Sequence, residues 1–157
     1  MNKKYELTDE TKGIGGITLH RIRALMDISR YGVRAGDIGG WIEAESNLSQ
    51  DDDAWVSDDA WVYGDALVNG NAEVSGNAEV KGIRDYAVFK NGWSSGRWFT
   101  YTRSNRMWRV GCFRGTGEEL IAKAHKDSEL SGKCYEAIVR AQEAIDRAID
   151  EKEGDTK

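Results

Sequence analysis

A six-residue pattern of small apolar and polar positions runs through the middle of the chain. From Val56 the sequence reads VSDDAW, VYGDAL, VNGNAE and VSGNAE, with Val first and Ala fifth in each unit. Ala and the following Val are two apart, so on a strand their side chains face the same side. Gly, Asn and Asp at the third and fourth positions tolerate the positive φ of a corner. Each unit therefore predicts a very short strand and a turn, with Ala and Val inward.

Three units would close one triangular coil of 18 residues, and stacked coils would pair their strands in parallel. Residues 42–88 would supply about two and a half coils, with Ala87 and Val88 resuming the register. We therefore predict a mainly β protein with α-helix, built on a short β-helix of hexapeptide repeats. Its left-handed winding is implied by the resemblance to other hexapeptide proteins.

The flanking segments predict caps for this β-helix. YELTDE and ITLHRIRAL read as two strands around a Gly-rich turn, and RWFTYT and RMWRVGCF read as a hairpin. Thr116 and Glu119 have the spacing of a helix capping box. A second helix from about Ser131 to about Glu151 carries a stripe that predicts core packing, formed by Tyr135, Ile138, Gln142, Ile145 and Ile149. The predicted domains are an N-terminal β cap (1–36), the β-helix (37–90), a basic aromatic β-hairpin (91–114) and the C-terminal helices (115–157).

Charge is segregated along the chain, and this pattern indicates what the surface of the protein can bind. Residues 37–80 carry eleven Asp/Glu and no Lys/Arg, whereas residues 81–114 carry eight Lys/Arg and one Asp. The whole chain has a net charge of −5. Two fields of opposite sign on one small body favour electrostatic recognition. The opposite blocks could also pair between subunits, so we expect a homo-oligomer.

The acidic block gives the first candidate site. Regularly spaced acids on a stiff rod can imitate a phosphate backbone and occupy a nucleic-acid-binding protein, although a merely soluble solenoid explains them equally well. Trp55 and Trp61 fall at outward positions, where the units 18 residues later have Glu73 and Glu79. An outward Trp pair must be covered by the N-terminal strands, another subunit or a target. The candidate partner-binding residues are Asp51, Asp52, Asp53, Asp58, Asp59, Asp65, Trp55 and Trp61.

The basic hairpin gives an alternative site. Its aromatic residues alternate with arginines, and stacking surfaces beside guanidinium groups suit bases and phosphates. An amphipathic hairpin whose aromatic face packs on the core explains the same alternation. The candidate ligand-binding residues are Arg97, Arg103, Arg106, Arg109, Trp98 and Trp108.

The sequence offers little catalytic chemistry. Enzymes built on hexapeptide coils are mainly acyltransferases with a His near the coil interface, but His20 and His125 both lie outside the repeat. The run Asp51 to Asp53 lacks EF-hand spacing. Cys112 and Cys134 belong to no metal-ligand pattern. We predict a protein that is not an enzyme and has no cofactor and no metal, with an acyltransferase-like enzyme as the remaining alternative. No apolar stretch of membrane-spanning length or secretory type occurs, so we expect a cytoplasmic protein without a membrane partner.

Several segments resemble a family of small hexapeptide-repeat proteins encoded by phages and prophages. They are YELTDETK (5–12), TLHRIRAL (18–25), AGDIGGWIEAESNLS (35–49), the A-x-V-x-G-N repeats, and TRSNRMWRVGCFRGTGEELIAKAHKDSELSG (102–132). The resemblance covers nearly the whole chain. It implies an origin more than an activity, and it carries no catalytic residue to this sequence.

Small acidic phage proteins without catalytic motifs often antagonise host defence, which here is an analogy. We therefore predict a non-enzymatic protein that acts in the cytoplasm of an infected bacterium. It would bind and block a host defence protein or complex through its acidic surface, by the nucleic-acid mimicry of anti-CRISPR and anti-restriction proteins. The alternative is a sponge that captures a nucleotide signal or nucleic acid on the Arg/Trp hairpin.

Overall fold

The computed structural model describes residues 3–155, except for the side chain of Asp155. Residues 1–2 and 156–157, at the ends of the first and last predicted domains, lie outside the described residues. The strands are β1 Tyr5–Ile14, β2 Ile17–Ala24, β3 Ile38–Ile42, β4 Trp55–Val56, β5 Trp61–Val62, β6 Glu73–Val74, β7 Glu79–Val80, β8 Tyr86–Lys90, β9 Trp98–Thr102, β10 Met107–Val110 and β11 Phe113–Gly115. The helices are α1 Gly117–Asp127 and α2 Glu129–Asp155.

The strands form three small sheets. A mixed sheet has the order β1-β2-β3-β5-β7, antiparallel from β1 to β3 and parallel from β3 to β7. Strands β4 and β6 form a two-stranded parallel sheet. The order β11-β10-β9-β8 makes an antiparallel sheet. The protein is therefore mixed α/β.

The predicted fold class, a left-handed β-helix, is wrong. Among the described residues no sheet is closed and none forms a solenoid. The repeat units do pair in parallel at an 18-residue offset, as in Trp55 with Glu73 and Trp61 with Glu79. Each of these ladders is only two residue pairs long, and they are divided between two sheets. Ala87 and Val88, which were predicted to resume the repeat, instead lie in β8 and pair antiparallel with β9.

The inward half of the repeat prediction is confirmed. The Ala and Val positions of all four units are buried: Val56, Ala60, Val62, Ala66, Val68, Ala72, Val74 and Ala78. Gly64, Gly70 and Gly76 take positive φ at the third position of three units, so the corners form where the sequence predicts them. These side chains share one core with Tyr5, Ile22 and Trp55.

Two glycines of β3 allow that strand to approach the repeat closely. A Cβ at Gly39 would lie 2.6 Å from the carbonyl oxygen of Val56, and one at Gly40 would lie 2.7 Å from Val56 Cγ1. Both contacts are shorter than side chains tolerate. Strand β3 therefore connects the N-terminal hairpin to the repeat only because these two positions lack side chains.

A second core forms between the antiparallel sheet and the helices. Phe99, Trp108, Leu120, Tyr135 and Val139 lie in it. The predicted capping box of α1 is confirmed, because Thr116 accepts from the Glu119 amide and the Glu119 carboxylate accepts from the Thr116 amide.

The predicted stripe on α2 is partly wrong. Tyr135 and Gln142 of the stripe are buried, as are Ser131, Gly132, Val139 and Asp146, whereas Ile145 is 48% exposed. Helix α2 therefore turns a partly polar face inward. The 3,4 spacing of the predicted stripe favoured Ile145 and Ile149 over Val139 and Asp146, because Ile residues are more apolar than Asp.

Candidate functional site

The acidic residues at the repeat corners serve first as acceptors for backbone amides. Asp58 Oδ2 accepts from the Gly76 amide at 2.9 Å, and Asp52 Oδ2 accepts from the Gly70 amide at 2.5 Å. In both cases the acceptor and donor are 18 residues apart, so each carboxylate joins segments that lie 18 residues apart along the chain. Glu43 Oε1 accepts from the Gly64 amide at 2.9 Å, across 21 residues. Part of the acidic character of this segment is therefore structural.

Asp58 has a special backbone conformation. It stands at the third position of its unit, which Gly64, Gly70 and Gly76 occupy in the others, and it shares their positive φ, at 56°. Asp tolerates this region better than most residues because its short polar side chain bonds locally. Its carboxylate also pairs with Arg114 of β11. Asp58 thus ties a repeat corner to the antiparallel sheet.

Most of the candidate acids have cationic partners from outside the acidic segment. Lys4 lies 3.6 Å from Asp52, Arg30 lies 3.0 Å from Asp53, and Arg21 lies 3.4 Å from Asp59. Counting also Lys3 with Glu45, Arg114 with Asp58 and Arg109 with Glu73, six of the eleven carboxylates are paired. Eleven carboxylates less six cations leave a net charge of −5 on this segment with its partners.

Asp51 and Asp65 are the candidate acids that keep their charge unpaired. Both are exposed, and within the described part of the chain neither carboxylate forms an ion pair. Asp65 is flanked by the exposed side chain of Leu67, which is 45% accessible. The acids that remain for a partner are therefore a subset of the predicted set.

The two candidate tryptophans are covered by the N-terminal strands, one of the three alternatives that the sequence left open. Trp55 is 1% exposed and meets Tyr5 edge-on at 6.5 Å between ring centroids. Lys12 Nζ lies 5.6 Å from the ring centroid of the half-buried Trp61. The prediction that Trp55 faces a partner is wrong, since an N-terminal strand already covers its ring.

Lys4 shows how firmly that strand is attached. Its side chain is 5% exposed, and Nζ donates to the carbonyl oxygens of Ala54 at 2.5 Å and Asp52 at 2.9 Å. Burial lowers the pKa of the Lys4 ammonium from its ordinary value. No pattern in the sequence indicates a buried lysine at this position.

Four arginines of the basic segment are bound internally. Arg103 and Arg106 contact Asp146 at 3.7 and 3.0 Å, and both also pair with Asp150. Arg109 Nε lies 3.3 Å from Glu73 Oε1, and Arg114 pairs with Asp58. These contacts include pairs between the acidic and basic blocks within one chain, where the sequence suggested pairing between subunits.

Glu73 is the most deeply placed carboxylate of the acidic segment. It is 5% exposed, and its amide donates to Thr100 Oγ1 on β9 at 3.0 Å. Burial raises the pKa of the Glu73 carboxyl, against the opposing effect of Arg109. The outward position predicted for Glu73 is wrong because β9 covers it.

The aromatic residues of the alternative site differ in exposure. Trp108 is 2% exposed, and its ring contacts Tyr101, Phe89 and Phe99 at 4.7, 5.7 and 6.0 Å between centroids. The prediction of Trp108 as a stacking surface is therefore wrong, because its faces are already occupied. Trp98 is half-buried, with Lys90 Nζ 5.7 Å from its ring centroid.

Arg97 is the candidate arginine without an ion pair in the described chain. It borders a cavity of about 380 Å³ that is also lined by Lys123, Asp127 and the serines Ser94, Ser95 and Ser128. Lys123 pairs with Asp127 at 3.3 Å. The side chain of Arg97 lies over Gly111, where a Cβ would come within 2.3 Å of Arg97 Nη1. The space for this guanidinium therefore depends on the glycine.

A buried polar network that sequence reasoning missed lies beneath α2. Asp146 is 2% exposed, and its carboxylate accepts from the Tyr101 hydroxyl, from Gln142 Nε2 at 3.1 Å and from Arg106 Nη1 at 3.0 Å. Burial, with the adjacent Asp146, raises the pKa of Tyr101. The available signal was that Asp146 follows Gln142 by four residues on a helix face.

The remaining candidates add no catalytic arrangement. His125 rests on Gly132, where a Cβ would lie 2.2 Å from His125 Nδ1, and His20 lies on β2. Over residues 3–155 no cluster of three His, Cys, Asp or Glu side chains could hold a metal ion. None of the helices in that range is both long and apolar enough to cross a bilayer. Neither a family model nor a curated protein matches the chain.

Proposed function

We propose that the protein is a non-enzymatic phage protein that binds and blocks a defence protein in the cytoplasm of the infected bacterium. Its acidic surface, defined here as Asp51, Asp52, Asp53, Asp58, Asp59 and Asp65, faces a basic surface that otherwise handles nucleic acid. The observation that carries the proposal is the net charge of −5 that residues 37–80 keep after six internal ion pairs, two charges of which belong to Asp51 and Asp65 of the acidic surface.

The six internal pairs do not remove this field. The ion pairs of Asp53, Asp58 and Asp59 are partly exposed, and such pairs contribute about 0–1 kcal/mol each, so a cationic partner can compete for these carboxylates at small cost. Complementary charge mainly increases association rate and selectivity. Asp51 and Asp65 are the residues that a cationic partner can bind most readily, because no internal ion pair of their carboxylates has to be broken first.

The experiment is a pull-down from the lysate of the bacterial host, compared between two charge-reversed double variants. Asp51→Lys with Asp65→Lys alters the acidic surface without touching the amide-binding Asp52 and Asp58. Glu129→Lys with Glu151→Lys makes the same change in net charge on α2 and is the control. Binding should be lost only in the first variant.

Salt gives an independent test of the same proposal. Raising the salt concentration from about 0.1 M to about 1 M shortens the Debye length from about 10 Å to about 3 Å. Capture should fall steeply over this range. A partner that is retained equally at both concentrations and by both variants refutes binding through the acidic surface.

A second function, capture of a nucleotide, is favoured by one observation. Arg97 lacks an ion pair among residues 3–155 and lies beside a hydroxyl-lined cavity of about 380 Å³, which is within the range of small-ligand sites. Phosphate oxygens suit a guanidinium with neighbouring hydroxyl donors. This site has fewer free arginines than the sequence predicted, because Arg103, Arg106 and Arg109 are already paired with carboxylates.

Calorimetry with AMP, inorganic phosphate and a short DNA oligonucleotide tests this second function. AMP should bind to the native chain and not to Arg97→Ala. Arg23→Ala, which removes an exposed arginine that pairs with Glu6 at 3.1 Å, is the control. Absence of binding by all three probes, or equal binding by Arg97→Ala, rejects the nucleotide reading.

A further inference from the structure

The cavity of about 380 Å³ beside Arg97 is lined by hydroxyl groups as well as by the guanidinium. Its wall comes from the loop that joins β8 to β9, from β10 and β11, and from both helices. Tyr135 and Ser131 on this wall are more than 90% buried, at 7% and 8% exposure, whereas Arg97 and Ser128 are exposed. The cavity therefore runs from the surface towards the second core.

Asn91 fixes the direction of the hydrogen bonds at the inner end of this cavity. It is 3% exposed, and its Oδ1 accepts from the Ser94 amide at 3.0 Å and from Ser94 Oγ at 3.2 Å. The Trp93 amide also donates to this oxygen, at 3.2 Å. Asn91 Nδ2 therefore faces the Tyr135 hydroxyl oxygen, at 3.2 Å. Because an amide nitrogen only donates, the Tyr135 oxygen is the acceptor in this contact.

Three serine hydroxyls of the wall are acceptors for the same reason. Ser131 Oγ accepts from Trp93 Nε1 at 3.2 Å, and the Ser131 amide donates to Ser128 Oγ at 3.0 Å. Ser95 Oγ accepts from the Arg97 amide at 3.1 Å. Each hydroxyl still has one proton to donate, and for these serines and Tyr135 no acceptor of that proton lies within residues 3–155. The wall therefore offers four O–H donors to an occupant of the cavity.

The charges on the wall also favour an acceptor. They are Arg97, Lys123 and Asp127, two cations and one carboxylate. Lys123 and Asp127 pair with each other at 3.3 Å, so Arg97 supplies the charge that is not balanced. Burial raises the pKa of the Tyr135 hydroxyl, against the opposing effects of its hydrogen bond from Asn91 and of the nearby cations. Tyr135 therefore keeps its proton at neutral pH and remains a donor.

We propose that this cavity binds a tetrahedral oxyanion, either the terminal phosphate of a phosphomonoester or free phosphate. Its oxygens accept from the Tyr135 and Ser131 hydroxyls at the inner end and from Arg97 and the Ser95 hydroxyl at the entrance. A phosphate has more acceptor oxygens than a carboxylate, so it uses more of these donors. The inference rests on the nucleotide capture proposed above and names the group of the ligand that is recognised.

Calorimetry in a phosphate-free buffer, with AMP, inorganic phosphate and adenosine as separate probes, tests which group is bound. AMP and phosphate should bind, and adenosine should not, because it lacks the oxyanion. Tighter binding of AMP than of phosphate identifies a phosphomonoester as the ligand, and equal or weaker binding identifies free phosphate; both results support the oxyanion site. Adenosine that binds as tightly as AMP overturns it.

Tyr135→Phe removes the inner hydroxyl and keeps the ring. It should weaken AMP binding about tenfold to a hundredfold, the effect of one hydrogen bond to a charged group. Tyr86→Phe is the matched control, because the Tyr86 hydroxyl donates to the Leu67 carbonyl oxygen at 2.8 Å and does not line the cavity. The control should bind AMP as the native chain does. Equal affinities of the two variants would show that Tyr135 makes no contact with the ligand.

Two adjacent serines give a test that does not depend on altering a buried residue. Ser95→Ala removes a proton that has no acceptor in the described chain, so it should weaken AMP binding about two- to tenfold. Ser94→Ala removes a proton that is already donated to Asn91 Oδ1, so it should leave the affinity unchanged. Both serines line the cavity, and equal effects of the two variants contradict the assignment of donors. This pair decides the question if Tyr135→Phe does not fold.

Arg97→Ala separates a failure of this inference from a failure of nucleotide capture. If AMP binding is lost in Arg97→Ala but unchanged in Tyr135→Phe and Ser95→Ala, the nucleotide is captured through Arg97 and the hydroxyl-lined oxyanion site is wrong. If none of the three probes binds to the native chain, both the oxyanion site and nucleotide capture are wrong.

Discussion

Asp58 gives the sharpest prediction about why the repeat is acidic. Replacing it by Ala removes the acceptor of the Gly76 amide, removes the partner of Arg114 and leaves a residue with little tolerance for φ of 56°. We expect a loss of about 1 kcal/mol from the hydrogen bond, about 0.5 kcal/mol from the exposed ion pair and about 1 kcal/mol from backbone strain. The total is about 2.5 kcal/mol.

Two matched variants separate these contributions. Asp58→Asn keeps an amide acceptor and tolerates positive φ, so it should lose only about 0.5 kcal/mol. Asp65→Ala removes an exposed carboxylate that has no ion pair within the described residues, so it should change stability by less than about 0.5 kcal/mol. The three variants therefore rank by structural role, although each loses one negative charge.

Urea unfolding followed by tryptophan fluorescence measures the differences. In thermal unfolding, a loss of about 2.5 kcal/mol in a chain of this size corresponds to a decrease of about 5–10 °C in Tm. If Asp58→Ala and Asp65→Ala are equally stable, the contacts of Asp58 with the Gly76 amide and Arg114 do not stabilise the fold. The carboxylate of Asp58 would then have no structural explanation.

Three further predictions follow from burial. Trp55→Ala should destabilise by about 3–5 kcal/mol and Trp61→Ala by less, measured by urea unfolding; equal losses would contradict the burial of Trp55. Burial raises the pKa of the Glu73 carboxyl above 4.5, so its protonation stabilises the native state at low pH, and this stabilisation is lost as the pH rises from 4.5. Glu73→Gln should flatten the plot of unfolding free energy against pH in this range. An unchanged slope would contradict the prediction. Burial also raises the pKa of Tyr31 to about 12, so the free energy of unfolding should fall as the pH rises from 10 to 12. Tyr31→Phe should lessen this fall without abolishing it, because burial also raises the pKa of Tyr5, Tyr86, Tyr101 and Tyr135. Tyrosinate absorbance that develops near pH 10 for every tyrosine would refute the prediction.

The local pattern of the repeat was predictable, and its sheet organisation was not. Ala and Val at fixed positions indicate inward side chains, and glycine indicates the corner, because both depend on neighbouring residues alone. How far each ladder extends depends on contacts distant in sequence. Strand β3 joins the repeat through Gly39 and Gly40, and β9 covers Glu73, and neither contact leaves a periodic signal.

The candidate site shows the same division. The charged blocks are visible in the sequence, but the partners of Asp58, Glu73 and Arg106 lie 56, 36 and 40 residues away. The count of charges along the sequence therefore predicted residues free to bind a partner, whereas in the fold many of them form internal ion pairs. The alternation of aromatic and basic residues in the hairpin also could not show that Trp108 faces the core, because half-buried strands and stacking surfaces share that pattern.

The most direct test of the proposed function is the composition of what co-purifies with the protein from infected-host lysate, by mass and by absorbance at 260 nm. We expect a basic protein without nucleotide absorbance. It should be retained by the native chain and by Asp58→Asn, and lost from Asp51→Lys with Asp65→Lys. A bound species that absorbs at 260 nm and contains no protein, or a protein retained equally by the charge-reversed variant, would contradict it.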